Sequence, residues 1–373
     1  MNVVLTGGGT GGHVYPALAL AEALARDPAC APLAVTFVGT RAGLEATIVP
    51  KAGETIRFVR AAPLVRKLGF SLFRTLAINL AGFVDALRVL GAVKPDVLVA
   101  TGGYVSLPVV AALRAIRTLG RSRARIAVLE PNAVAGLTNR LLAPLADEIW
   151  YAIAPPGRVL GARERLVGTP VRASLRRPLD ARTARAQLGL DPDGRTVVVM
   201  GGSQGARSLN DTIAGMVEAE MPAGWQVLVL AGTRDYDGMR VRLAGRSDVM
   251  VLAYLDDPRA AYAAADVVVA RAGASTLAEL AATGTPALLV PYPFATGDHQ
   301  MHNARAFAAH GAARIIADCD LDAARLRREL EDMLAPAQRS AMRASAGAAA
   351  RTDSATTIVA RVKAWSASKT SAP

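Results

Sequence analysis

The chain has 373 residues, 52% of them hydrophobic, which excludes a disordered protein and suits two domains rather than one small core. Its net charge of +12 calls for an anionic partner, and the arginines are scattered without interleaved aromatics, which favours a membrane surface or a pyrophosphate-bearing substrate over nucleic acid. Cys30 and Cys319 stand in no metal-ligand spacing and read as buried free thiols. A strand is expected within two residues of Met1, leaving no room for a leader. Asp85 and Arg88 break the most apolar stretch, so no membrane span is expected and the chain reads as cytoplasmic.

Val3-Val4-Leu5 runs into Thr6-Gly7-Gly8-Gly9-Thr10-Gly11-Gly12-His13, and a helix is predicted from Pro16 to about Arg26. Glycines let the backbone turn sharply, and the N–H groups of the following helix then point at an anion. His13 sits where that helix begins; a positive helix end disfavours imidazolium, so a neutral proton acceptor is expected there. Gly7-x-Gly9-x-x-Gly12 has the form of a dinucleotide fingerprint, but the next strand (Ala34–Val38) ends Gly39-Thr40-Arg41, without the acid that would hold a ribose. A nicotinamide cofactor is therefore not expected.

In residues 60–90, Leu64, Val65, Leu68, Phe70, Leu72 and Phe73 lie among Arg60, Arg66, Lys67 and Arg74, ahead of a long amphipathic helix. This suits a protein lying on an anionic bilayer, and equally a core-facing helix with a charged rim. Strand Asp96–Ala100 ends in a second glycine turn, Thr101-Gly102-Gly103-Tyr104, and strand Ile126–Leu129 leads to Glu130-Pro131-Asn132 and a helix from about Gly136. Glu130 and Asn132 are either functional or organisers of that loop.

A Pro/Gly/Arg-rich stretch (154–178) separates the halves, and the plan then repeats. Strand Thr196–Met200 enters Gly201-Gly202-Ser203-Gln204-Gly205-Ala206-Arg207 and a helix. Strands Gln226–Ala231, Val249–Leu252, Val267–Ala270 and Ala287–Val290 follow, each before a helical segment. The alternation predicts an α/β fold of two doubly wound, Rossmann-like domains facing across a cleft. Thr276-x-x-Glu279 reads either as a capping box or as a helix mouth where Glu279 accepts bonds from a ribose diol. Asp318-Cys319-Asp320 has the form of a metal-binding pair but precedes a predicted helix (Leu321 to Leu334), so capping is expected.

Thr6-Gly-Gly-Gly-Thr-Gly-Gly-His13, Gly102-Gly103-Tyr104-Val105-Ser106, Gly201-Gly202-Ser203-Gln204-Gly205-Ala206, Arg271-x-Gly273-Ala274-x-Thr276-x-x-Glu279 and Asp298-His299-Gln300-x-x-Asn303-Ala304, in that order, resemble the MurG family. Those enzymes move N-acetylglucosamine from UDP to lipid-linked N-acetylmuramyl-pentapeptide in peptidoglycan synthesis. The resemblance covers nearly the whole chain and implies a GT-B type inverting glycosyltransferase that needs no metal or other cofactor. It implies an N-terminal acceptor domain (residues 1–171), a UDP-sugar domain (172–352), a helix (353–366) returning to the first domain, and a disordered tail (367–373). His13 is implied as the base that deprotonates the acceptor 4-hydroxyl, with Glu130 in reserve or orienting it. Donor contacts are implied at Thr10, Gly11, Gly12, Asn132, Arg172, Ser203, Gln204, Gly205, Leu255, Ala274, Ser275, Thr276, Leu277, Glu279, His299 and Gln300. Gly103 and Tyr104 fall on the acceptor side, and Leu64, Arg66, Lys67, Leu68, Phe70 and Phe73 match the membrane patch.

The implied partners are UDP-N-acetylglucosamine, undecaprenyl-pyrophosphoryl-MurNAc-pentapeptide and an anionic membrane, with the protein peripheral on the cytoplasmic face. This chain departs from the family pattern at Leu129-Glu130-Pro131-Asn132, where His-Glu-Gln-Asn is usual, and at His299, where glutamine is common. Other readings are a transferase using another lipid acceptor such as diacylglycerol, a non-catalytic membrane-docked scaffold, and a UDP-sugar epimerase of similar fold.

Overall fold

The β-branched runs that end in glycine turns form the centres of two parallel sheets. The computed structural model describes residues 1–63, 70–202, 205–219, 221–349 and 353–370. The chain divides into two units, Met1–Ala173 with Thr352–Pro373, and Ser174–Arg351. Arg172, expected to open the second domain, thus falls in the first.

In the first unit the elements are β1 (Asn2–Gly7), α1 (Gly11–Arg26), β2 (Ala34–Gly39), α2 (Glu45–Lys51), β3 (Ile56–Phe58), α3 (Phe70–Val93), β4 (Val97–Gly102), α4 (Ser106–Thr118), β5 (Arg125–Glu130), α5 (Leu137–Leu142), β6 (Glu148–Tyr151) and β7 (Glu164–Leu166). Among the described residues the sheet is parallel, in the order β3-β2-β1-β4-β5-β6-β7. The chain winds outward from β1, then returns to lay β4 against its other edge. Strands covered on both faces need apolar residues throughout. Val3 and Leu5 pack with α1, whereas Val4 packs in the core under α3 and α4.

The second unit repeats the plan with α6 (Ala181–Gln187), β8 (Arg195–Met200), α7 (Arg207–Ala219), β9 (Trp225–Leu230), α8 (Tyr236–Arg242), β10 (Val249–Leu252), α9 (Arg259–Ala264), β11 (Val267–Ala270), α10 (Ala274–Thr283), β12 (Ala287–Leu289), α11 (His299–Ala308), β13 (Ala313–Ile315), α12 (Ala323–Leu334) and α13 (Pro336–Ala349). Its parallel sheet runs β10-β9-β8-β11-β12-β13, with the winding reversed between β8 and β11.

The last helix, α14 (Ser354–Thr370), belongs to the first unit. Ile358, Val359, Val362 and Trp365 join the core beside α1, and Trp365 stacks on Trp150 with ring centroids 5.6 Å apart. Arg361 pairs with the buried Glu148, Lys363 with Asp27 at 2.8 Å, and the Ser354 hydroxyl donates to the Thr169 carbonyl at 3.0 Å.

Several expectations need correction. Helix α1 begins at Gly11, five residues before Pro16, because Pro16 only removes the one bond it would have donated to Gly12. The tail expected from 367 is helical to Thr370; residues 371–373 lie outside the described residues. Helix α12 is capped by Asp322, which accepts from the Arg325 N–H at 2.7 Å, not by Asp318 or Asp320. Cys30 is buried, and burial pushes its thiol up, but Cys319 is exposed. One segment, Ser71–Val93, is by length and composition long and apolar enough to cross a membrane, although it contains Asp85 and Arg88.

Candidate active site

In open α/β sheets, ligands bind beyond the carboxyl ends of the strands where the winding reverses. In the first unit that point lies between β1 and β4, and the two glycine turns meet there. Gly103 has φ +83°, and a Cβ on it would fall 2.3 Å from the Gly8 carbonyl oxygen, so only glycine fits. His13, the third residue of α1, lies against this junction. Its Nδ1 is 2.8 Å from the Thr101 carbonyl oxygen, and the Thr101 hydroxyl donates to the His13 carbonyl at 2.7 Å. A carbonyl can only accept, so Nδ1 carries a proton, and in the neutral ring Nε2 would be the acceptor nitrogen. That is the tautomer a general base requires.

Glu130, at the end of β5, is 1% exposed. Its carboxylate accepts from the backbone and side-chain nitrogens of Asn132 (2.9 and 3.2 Å), from the Gly136 N–H (3.0 Å) and from the Asn139 amide (2.8 Å). These bonds make Glu130 the organiser of the 130–139 loop and fix the Asn132 amide; a buried carboxylate so engaged is poorly placed to take a proton from a substrate. Tyr15 and Arg172 come together, with the guanidinium carbon 5.1 Å from the ring centroid. Tyr104 places its ring over Gly9.

In the second unit the reversal falls between β8 and β11. Ser203 and Gln204 of the phosphate turn lie outside the described residues; Gly205 has φ +80° and donates to the Gly202 carbonyl at 2.9 Å. Helix α10 begins at Ala274 with Gly273 at its N-cap and no side-chain cap, so the capping box over Thr276 and Glu279 does not form. Glu279 sits in the second turn, not the first, and its carboxylate accepts from the Tyr262 hydroxyl at 2.8 Å. Ala274 and Leu277 are buried, whereas Ser275, Thr276 and Glu279 are partly exposed beside β11. Leu255, beyond the end of β10, is partly exposed.

Two backbone donors, Ala272 N–H (3.1 Å) and Tyr292 N–H (2.9 Å), converge on the Gln300 side-chain oxygen. They fix which end is oxygen and leave the amide nitrogen as the donor end. His299 Nδ1 is 3.0 Å from the Thr296 carbonyl oxygen, and the residue is partly exposed.

Sequence reasoning missed two residues that shape these turns and did not foresee the pairing of two others. Glu45 in unit one reaches the glycine turn, and Tyr262 in unit two orients Glu279. Arg271, at the end of β11, pairs with Asp318 at 2.6 Å and donates to Ser208 at 2.7 Å and to the Val290 and Pro291 carbonyls. Asp318 is thereby committed to locking three loops together, and the Asp-x-Asp spacing reflects neither capping nor a metal pair. Of the expected membrane patch, Leu64, Arg66, Lys67 and Leu68 lie outside the described residues. Phe70 opens α3, and Phe73 is 72% exposed.

Two doubly wound units, each with a glycine turn at its point of reversal, are the architecture of a GT-B type glycosyltransferase. Residues 3–151 match the glycosyltransferase family 28 N-terminal domain, and residues 196–358 match its C-terminal domain. A UDP-N-acetylglucosamine--N-acetylmuramyl-(pentapeptide) pyrophosphoryl-undecaprenol N-acetylglucosamine transferase from Salinibacter ruber is 42% identical, covering 96% of this chain and 95% of that one. The protein of the same name from Mycobacterium bovis is 40% identical over 95% and 87%. The crystal structure of Acinetobacter baumannii MurG superposes with a TM-score of 0.73 at 27% identity, covering 97% and 99%. The chain belongs to the MurG family.

Proposed function

We propose that the protein transfers N-acetylglucosamine from UDP-N-acetylglucosamine to the 4-hydroxyl of undecaprenyl-pyrophosphoryl-MurNAc-pentapeptide, with inversion and without a metal. The observation that carries the chemistry is the His13 tautomer. With Nδ1–H held by the Thr101 carbonyl, Nε2 takes the proton of the acceptor hydroxyl as that oxygen attacks the anomeric carbon and the bond to UDP breaks. One displacement inverts the centre and needs no covalent enzyme intermediate. The N-terminus of α7 in the second unit supplies backbone dipoles that would stabilise the charge developing on the diphosphate. Glu279, whose carboxylate accepts from the Tyr262 hydroxyl, is the acceptor for a ribose diol, and the Gln300 amide nitrogen donates to the transferred sugar.

The membrane is the second part of the proposal. Phe73, Leu76, Leu80 and Val84 are 72%, 52%, 67% and 38% exposed and recur at helical spacing, so they form one apolar stripe along α3. Arg74 and Arg88 are exposed on the same helix. An apolar stripe beside cations suits a peripheral protein on an anionic bilayer, on the cytoplasmic face where a lipid-linked acceptor and a soluble nucleotide sugar both occur.

The test is incubation with radiolabelled UDP-N-acetylglucosamine and the lipid-linked muramyl-pentapeptide in the presence of chelator. Label should enter the lipid phase, and a His13→Ala variant should lose about 10²–10⁴ in kcat while keeping its thermal midpoint. Absence of labelled lipid with the wild-type protein overturns the substrate assignment; wild-type turnover in H13A overturns the base.

A further inference from the structure

Glu45 is a buried carboxylate, 1% exposed, that the proposed chemistry does not use. It is the first residue of α2, yet its side chain turns back to bridge two other elements. Oε2 accepts from the Gly9 N–H at 2.9 Å, inside the first glycine turn. Oε1 accepts from both the N–H and the hydroxyl of Thr40 at 2.8 Å, just past the end of β2. The side chain is so closely nested in backbone that a Cβ on Gly8 or Gly43 would fall 2.4 or 2.1 Å from the carboxylate, and one on Gly39 2.4 Å from its Cγ. The Thr40 hydroxyl in turn lies 3.5 Å from that of Tyr104, whose ring covers Gly9.

We propose that Glu45 is a positioning residue: by gripping Gly9 it sets the glycine turn and, through it, the place of His13. The route is short. Gly9 has φ +83°, and the next residue, Thr10, accepts from the His13 and Val14 N–H groups at 3.2 and 3.3 Å. A shift at Gly9 therefore moves the first turn of α1 and the imidazole it carries. Thr101 fixes the tautomer and Glu45 fixes the height. Displacing a catalytic group by about 1 Å can cost about 10²-fold in rate. This inference rests on the assignment of His13 as base.

The test uses Glu45→Gln in the full-length protein. An amide offers one acceptor oxygen where three donors converge, so either Gly9 or Thr40 faces an NH2 group. Turnover is expected to fall by about 10–100-fold per folded molecule, and the His13 Cε1–H NMR signal to shift. Glu148→Gln, at another buried carboxylate in the α14 contact, serves as the comparison: it should lower the thermal midpoint and leave both kcat and the His13 signal alone. Glu45→Asp, which keeps both oxygens but retracts them by one methylene, should turn over less than wild type, and it carries the test should E45Q not fold. An E45Q protein with kcat within twofold of wild type, or a loss that only tracks the unfolded fraction, overturns the proposal. Wild-type protein that makes no labelled lipid, or H13A that turns over normally, instead overturns the reading on which it rests.

Discussion

Single residues at the first reversal point are held by groups far away in sequence, which decides what could be read in advance. The glycine clusters and His13 were legible because a strand, a turn and a helix start are local patterns. Glu45 was not, since its bond to Gly9 spans 36 positions. The absence of an acid at the end of β2 excluded a nicotinamide site, yet an acid reaches that same point from the start of α2. Tyr262, 17 positions from Glu279, was invisible for the same reason. The pairing of turn with turn makes a sharp prediction at Gly103. Alanine there meets left-handed strain of about 1–2 kcal/mol as well as overlap with the Gly8 carbonyl. Urea unfolding of G103A should show a midpoint lowered accordingly with the slope unchanged, and its turnover should drop because the junction under His13 opens.

Among the elements, the expected strands were found with nearly the expected bounds because buried parallel strands are continuous apolar runs, whereas the short strands β3, β6, β7 and β13 were not anticipated. Helix starts were less legible. The Thr276-x-x-Glu279 spacing imitates a capping box, but α10 begins two residues before Thr276, since Gly273 already has the extended backbone of an N-cap. Helix α14 carries a pH dependence. Burial alone would raise the Glu148 carboxyl, but hydrogen bonds from Arg361 and Trp150 outweigh it and hold the group below the usual glutamate range. A depressed folded value means stability that is present above the unfolded glutamate value and lost as pH falls through the folded one. An Arg361→Leu variant should therefore melt well below wild type at neutral pH, and the gap should narrow once pH drops below about 4. Thermal melts across the acid range check this; a constant gap would show that Arg361 acts only through packing.

For the whole molecule, the two-fold repetition of the winding was plain from alternating strands and glycine turns, but the ownership of Arg172 was not, because the Pro/Gly/Arg-rich stretch around it does not mark where one core stops. In the proposed membrane binding, the net charge of +12 and the exposed stripe on α3 would act together. Replacing Leu76 and Leu80 with glutamine removes apolar burial worth about 1.5–3 kcal/mol per side chain, so cosedimentation with phosphatidylglycerol vesicles should weaken by about tenfold or more per leucine. Raising salt from about 0.05 to 0.5 M should weaken the wild type as well, through its arginines. Equal binding by wild type and the L76Q/L80Q protein would remove α3 from the membrane surface.

The stacking of Trp365 on Trp150 has a consequence for how the protein is made. On the ribosome, the amino-terminal sheet emerges first, but the side of it that α14 covers stays bare while the entire second unit is synthesised. The nascent chain must carry that exposed apolar face through some two hundred codons, so the first unit is the last to be completed, and a release of the chain ahead of α14 leaves a surface that invites chaperones or aggregation.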